Sequence, residues 1–157
     1  MYRELAQTTK AMRMLEQALI LSRETNDKGR QALYVNALGV CYASVNNHEK
    51  AREFYDRSLK IAKLVNNVRL QACVTHNIGN SYRLSGDYTK SISYFEEALQ
   101  LARSVNDHIA EAECMRNLAL VYSVQPEGKN KAKELLQSAL TLSNNSGRLG
   151  LQIQSLR

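Results

Sequence analysis

Apolar and polar positions along the chain fall into two alternating helical patterns. One is carried by four runs, TKAMRMLEQALILSRETND, EKAREFYDRSLKIAKLVNN, TKSISYFEEALQLARSVND and NKAKELLQSALTLSNNSGR, the first three of which recur every 40 residues. Within each run a small residue (Ala11, Ala51, Ser91, Ala132) is followed four positions later by a bulky one (Leu15, Tyr55, Phe95, Leu136). A second small residue comes three positions after that (Ala18, Ser58, Ala98, Ala139), each followed by Leu. Steps of three and four place these residues on one face of an α-helix, so each run predicts an amphipathic helix, termed helix B. The intervening stretches QALYVNALGVCYASV, QACVTHNIGNSYRLS and EAECMRNLALVYSVQ predict a second helix, A. Its register is Leu38-Gly39 with Tyr42, Ile78-Gly79 with Tyr82, and Leu118-Ala119 with Tyr122.

Turn chemistry separates the helices. A leads to B through Asn46-Asn47, Gly86-Asp87 and Pro126-Glu127-Gly128, and the extra residue of the third turn sets the last helix B 41 residues after its predecessor. B leads to the next A through Asn26-Asp27, Asn66-Asn67 and Asn106-Asp107, read as the longer joints, where Asn or Asp ends one helix and caps the next. A glycine inside a helix costs about 1 kcal/mol against Ala, so Gly39 and Gly79 require a packing reason. The expected reason is close approach of helix B of the same hairpin, with Ala51 or Ser91 opposite, and a slightly looser fit at Ala119 and Ala132. The Tyr residues are expected between stacked hairpins, with the ring buried and the hydroxyl in need of a partner.

The series Leu-Gly-x-x-Tyr, a turn with Gly-Asp-Tyr, then Ala/Ser-x-x-x-Tyr/Phe and Ala-Leu resembles the tetratricopeptide repeat over essentially the whole chain. Two features depart from that pattern. The period is 40 residues where about 34 is usual, and the consensus Trp and closing Pro are absent, with Val35, Thr75 and Met115 where the Trp would fall. The longer period with Asn-Asp joints resembles Pins/LGN-type and Rap-type members. The resemblance implies an all-α fold, a right-handed α-solenoid of antiparallel helix hairpins, whose concave helix-A surface commonly grips an extended or helical peptide. It divides the chain into a partial repeat 1–27, full repeats 28–67, 68–107 and 108–147, and a partial helix 148–157. Tyr2 falls on the Tyr42 ladder and Arg148 to Leu156 match the start of another helix A. The expectation is therefore a segment of a longer solenoid cut mid-repeat at both ends.

Composition agrees with helix: one Pro, seven Gly, no Trp, and 44% hydrophobic residues in 157, enough to bury a core. No apolar run approaches the roughly 20 residues that span a bilayer, and the N-terminal sequence is neither signal peptide nor presequence, so the cytoplasm is the expected compartment. Cys41, Cys73 and Cys114 show no CxxC or Cys/His metal spacing and are expected as buried or half-buried reduced thiols. The formal charge of +6 leans basic, but 21 basic and 15 acidic residues are interspersed, which does not form a nucleic-acid stripe.

No catalytic constellation emerges. His48, His76 and His108 lack a nucleophile or base at helical spacing, and GxGxxG, GxxxxGK[ST] and HExxH are all absent, so neither enzyme activity, cofactor nor metal is expected. After the core positions of helix A are assigned, one stripe is left in each repeat. It comprises Cys73, His76, Asn80 and Arg83 in the central repeat, Leu33, Asn36, Val40 and Ala43 before it, and Glu113, Arg116, Leu120 and Ser123 after it. Asn36, Val40, Cys73, His76, Asn80, Arg83, Glu113, Arg116, Leu120 and Ser123 are thus the candidate peptide groove. Asn can bond a peptide backbone and the Arg fork suits a carboxylate, so a protein or peptide partner of acidic character is favoured. Asn77 and Asn117 are expected to bond across the helix hairpin, and Lys50, Lys90 and Lys131 to be solubilising. The carboxylate clamp of chaperone-binding members cannot be placed here. Competing readings are a structural segment that self-associates through its ends, and a regulatory ligand-sensing module of a larger signalling or transcription protein. RNA binding ranks last, because the aromatic residues fall on core ladders.

Overall fold

The structure, a computed structural model, describes the backbone of residues 2–155 and the side chains of residues 6–144. Among the described residues seven helices follow one another: α1 (Tyr2–Glu24), α2 (Lys28–Ser44), α3 (His48–Leu64), α4 (Val68–Leu84), α5 (Tyr88–Ser104), α6 (His108–Ser123) and α7 (Lys129–Ser155). The A helices are α2, α4 and α6. The B helices are α1, α3, α5 and α7. Each helix packs on its chain neighbours, and no strand occurs among the described residues.

The period has a simple origin. Helices α2 to α5 have 17 residues each, and each is followed by a joint of three residues, as at 45–47, 65–67, 85–87 and 105–107. Both kinds of joint are therefore equally long, contrary to the expectation that those from B to A are longer. One backbone solution serves them all. Asn26, Asn46, Asn66 and Asn106 sit at φ of 50°, 59°, 52° and 52°, and Gly86 at 83°, the left-handed conformation that ends a helix. The next residue donates its N–H to the carbonyl five residues back, as Asp27 does to Ser22 and Asp107 to Ala102, both at 2.9 Å. Its side chain then accepts from the third N–H of the following helix, as at Asp87 to Lys90 N, 3.1 Å. A single Asp or Asn thus closes one helix and opens the next, satisfying otherwise orphaned backbone groups at both ends.

The joint between α6 and α7 is built differently. Gly128 occupies the position of the capping Asp or Asn and brings no side chain; its carbonyl accepts from the Ala132 N–H at 2.9 Å as at the other joints, and a Cβ there would overlap the Tyr122 carbonyl. At the chain ends, α1 and α7 are single helices, so no joint isolates a segment near Tyr2 or at Arg148. The side chains of 2–5 and 145–155, and all of Leu156 and Arg157, lie outside the described residues.

The core runs between successive hairpins: Leu19 with Val35 and Leu38, then Tyr55 with Leu70, Val74 and Ile78, then Phe95 with Cys114, Leu118 and Val121. The helical glycines receive aromatic rings. A Cβ on Gly39 would lie 2.6 Å from Tyr55 Cδ1, and one on Gly79 would lie 2.9 Å from Phe95 Cδ1. Ring volume, more than the expected Ala51 or Ser91, is what excludes a side chain. In the third hairpin the corresponding positions are Ala119 and Leu136, a larger residue on A and a non-aromatic one on B.

Candidate functional site

The stack curves. Helices α2 and α4, and α4 and α6, approach to within 8 Å between Cα atoms, whereas among the described residues α3 and α5, and α5 and α7, do not. Closer spacing along the A helices bends the array so that they line its inner side.

Polar side chains run along that side. Asn77 Nδ2 donates to Asn36 Oδ1 at 3.0 Å, and one repeat on, Asn117 Nδ2 lies 2.8 Å from His76 Nε2. These bonds join successive A helices; they do not cross the hairpin as expected. They set the register of the inner face and engage one polar atom each of Asn36 and His76. The Asn117 amide donates its other hydrogen to the Glu113 carbonyl, 3.0 Å away.

An amide nitrogen only donates, so His76 Nε2 accepts and is unprotonated. Burial lowers the His76 pKa from its usual 6.5, Glu113 and the Asn77 side chain oppose that shift, and Arg116 and Arg83 reinforce it. The imidazole is therefore neutral at pH 7. Its ring leans on Phe95, with centroids 5.3 Å apart.

Beside it, Asn80 Oδ1 accepts from both Nε and an Nη of Arg83, at 3.1 and 2.8 Å. The guanidinium is held in place by a neutral amide, which fixes its direction and leaves its charge uncompensated. Arg116 is exposed one repeat further on, and among the described residues neither Arg83 nor Arg116 forms an ion pair. Val40 and Leu120 are 46% and 48% exposed and give the same face apolar contacts. Ser123 is exposed but turns its hydroxyl onto the Leu120 carbonyl at 2.8 Å.

The thiols divide three ways: Cys114 buried, Cys41 half-buried, and Cys73 exposed on the A-helix face, against the expectation that all are covered. Burial pushes Cys114 up to about 12. Partial desolvation, then Glu113 and Asp107, raise Cys73, and desolvation raises Cys41. All three stay protonated at neutral pH, which disfavours nucleophilic chemistry.

The recurring lysines do more than solvate. Lys50, Lys90 and Lys131 sit over the rings of Tyr42, Tyr82 and Tyr122 at 4.6, 5.2 and 4.2 Å, and Lys131 Nζ donates to the Tyr122 hydroxyl at 2.7 Å. Sequence reading missed Arg52, which reaches from α3 to Ser81 and Ser85 Oγ and covers Tyr82 at 4.7 Å. Its counterparts are Ile92 and Lys133, so no recurring residue type marked it. Among the described residues no His, Cys, Asp and Glu side chains cluster as metal ligands.

A sequence profile of the tetratricopeptide repeat matches residues 1–63 and 70–145. The chain belongs to the tetratricopeptide repeat family. No curated protein sequence matches it. A Rap protein complexed with competence and sporulation factor superposes with a TM-score of 0.80 at 23% identity, over 91% of this chain and 40% of that one. The apo form of RapI gives 0.81 at 22% identity, over 94% and 53%. A signal transduction ATPase with a tetratricopeptide repeat sensor, from Pyrococcus horikoshii, gives 0.76 at 19%, over 87% and 21%. At these identities the likeness shows the fold, and the chain spans about half or less of each of these structures. The tetratricopeptide chain is a protein-interaction repeat module of a generally non-catalytic family. Among the described residues no helix is long and apolar enough to cross a membrane.

Proposed function

We propose that the inner face of α2, α4 and α6 binds a peptide segment of a partner protein, and that the segment carries a carboxylate opposite Arg83 and Arg116. The observation that carries this reading is the Arg83–Asn80 pair. Two hydrogen bonds aim a half-buried guanidinium without neutralising it, an arrangement suited to a fork-shaped contact with an anion. Neutral His76 adds no repulsion toward a backbone N–H, and exposed Val40 and Leu120 supply apolar contact on either side. Glu113 lies on the same face beside Cys73 and His76, so the attraction for an anion is confined to the Arg83 and Arg116 side. A Rap protein of the same fold was solved in complex with competence and sporulation factor, which is consistent with a binding role for such a solenoid.

The test uses fluorescent octapeptides rich in Asp and Glu, paired with versions bearing Asn and Gln. Arg83→Ala and Arg116→Ala should each weaken capture of the acidic set by about tenfold, as expected for loss of a charge-assisted contact, with helical circular dichroism unchanged. Equal binding of the two peptide sets, or affinity indifferent to both variants, would refute the reading.

A further inference from the structure

Successive A helices are joined at a fixed offset. Asn77 of α4 bonds Asn36 of α2 at 3.0 Å, and Asn117 of α6 lies 2.8 Å from His76 of α4, the residues of each pair being 41 apart in sequence. The A helices run in the same direction, so that offset carried along them brings further pairs together. Residues three apart share one helix face. Moving back by three on both α4 and α6 leads from His76 and Asn117 to Cys73 and Cys114, again 41 apart. Cys41 has no such partner, because the residue 41 positions on is Tyr82.

Two further observations place these thiols in one neighbourhood. Helices α4 and α6 come within 8 Å of each other between Cα atoms, and a disulfide needs Cα atoms about 4.4–6.8 Å apart. A charge at Cys73 acts on Cys114, and Glu113 and Asp107 act on both. Their access to water differs. Cys73 is exposed on the inner face, whereas Cys114 is 1% exposed beside Phe95, Leu118 and Val121. A reagent in solution therefore meets Cys73 first.

We propose that Cys73 and Cys114 are a redox-active thiol pair that closes as a disulfide between α4 and α6, with a small-molecule disulfide as the oxidant. The Cys73 thiolate attacks one sulfur of the oxidant, forming a mixed disulfide and releasing the other half as a thiolate. Cys114, as thiolate, then attacks the Cys73 sulfur and expels the second half. The two cysteines give up two electrons and two protons, and the oxidant leaves as two thiols. Burial and the nearby carboxylates hold both cysteines in the thiol form at neutral pH, which slows the exchange, and alkaline solution speeds it by raising the thiolate fraction. The bond would tie two A helices one turn from the His76–Asn117 contact and fix their spacing on the inner face, whether or not that face holds a peptide.

The test treats the full chain carrying Cys41→Ser, which leaves two thiols, with excess 2-hydroxyethyl disulfide without denaturant at about pH 8.5, near the ordinary thiol pKa. Remaining thiols are then blocked, and the masses of the intact chain and of its unreduced proteolytic peptides are read. The chain should lose two hydrogen atoms and give a peptide pair joined through Cys73 and Cys114. With Cys114→Ser added, the reaction should stop at the mixed disulfide on Cys73. With Cys73→Ser added instead, buried Cys114 should react about tenfold more slowly than Cys73 does, as burial makes a thiol inert. Helical circular dichroism checks that each variant is folded, and Cys114→Ala replaces Cys114→Ser if the hydroxyl is not tolerated at that buried position. A two-thiol chain that stays reduced, or that stops at the mixed disulfide as Cys114→Ser does, overturns the proposal. So does a disulfide found only between chains, with doubled mass, or a Cys73–Cys114 bond that forms only in urea, because the fold then does not bring the two sulfurs together.

Discussion

Hairpins α4–α5 and α6–α7 have the same course and are held by different chemistry. In the first, Gly79 yields its space to the fully buried ring of Phe95; in the second, Ala119 corresponds to Gly79 and Leu136, 43% exposed, to Phe95. The first turn carries the Asp87 carboxylate as a cap; at the second, Gly128 stands in that place without a side chain, and its carbonyl accepts from Ala132 N–H as that of Asp87 accepts from Ser91 N–H. On the inner face His76 is tied to the following A helix, while the corresponding Arg116 is exposed. Volume can therefore move across a helix pair, and a side-chain cap can be dispensed with, without altering the hairpin. What changes is how each hairpin responds to damage.

The largest contrast is expected at the bulky position. Phe95→Ala should cost about 3–5 kcal/mol, the range for emptying a buried aromatic site, whereas Leu136→Ala should cost about 1 kcal/mol or less because much of that side chain is already in water. Urea midpoints followed by helical circular dichroism measure both. Comparable losses would mean that Leu136 is covered in solution. Next in size is Gly79→Ala, about 1–3 kcal/mol from overpacking against the ring. Phe95→Leu in the same chain should recover part of it, because that pair is the Ala119 and Leu136 combination already present one hairpin later. Additive losses in the double-mutant cycle would break the argument that the two positions trade volume.

The parts legible in the sequence are those that packing repeats. Helix pattern, hairpin order, the tetratricopeptide resemblance and the special glycines all follow from positions filled three or four times with similar residues, since every hairpin must bury the same stripe. The left-handed Asn and capping Asp pair was legible as turn chemistry, although not as one motif used at both kinds of joint. Interactions made once were hidden. Arg52 bonding Ser81 and Ser85 has no counterpart, and the Asn36–Asn77 and His76–Asn117 bonds join residues 41 apart. In the latter the acceptor changes from an amide to an imidazole between repeats. Nor did the repeat reveal that Lys50, Lys90 and Lys131 cover tyrosine rings, because a lysine beginning a helix has the same spacing whether it is solvated or stacked.

The two caps should separate as well. Asp87→Ala should lose about 1 kcal/mol, the usual worth of a helix N-cap, and Asp87→Gly only a few tenths. At Gly128 the same Ala side chain meets the Tyr122 carbonyl, so its loss should exceed that at Asp87 and should not be recovered by Asp or Asn. Thermal midpoints of the five variants rank them. Equal behaviour of Gly128→Asn and the parent would show that the turn relaxes around a side chain there.

The smallest expected effect distinguishes His76 from Arg116 by pH. Folding lowers the His76 pKa, so the unfolded chain binds the proton more readily than the folded one. Stability is then full above the ordinary value of 6.5 and declines as pH falls through that value toward the lower folded one. Protonation would also place a hydrogen on Nε2, where Asn117 already donates. His76→Asn should remove this dependence while keeping the bond, because Asn36 accepts from Asn77 in the equivalent place one repeat earlier. Urea midpoints of parent and variant should diverge as pH is lowered from about 8 to about 5, with the parent losing more. Parallel curves would mean that the Asn117 bond does not depend on a neutral imidazole. Arg116→Asn should flatten the parent curve only slightly over the same range, since burial is the first cause of the His76 shift and the Arg116 charge a lesser one.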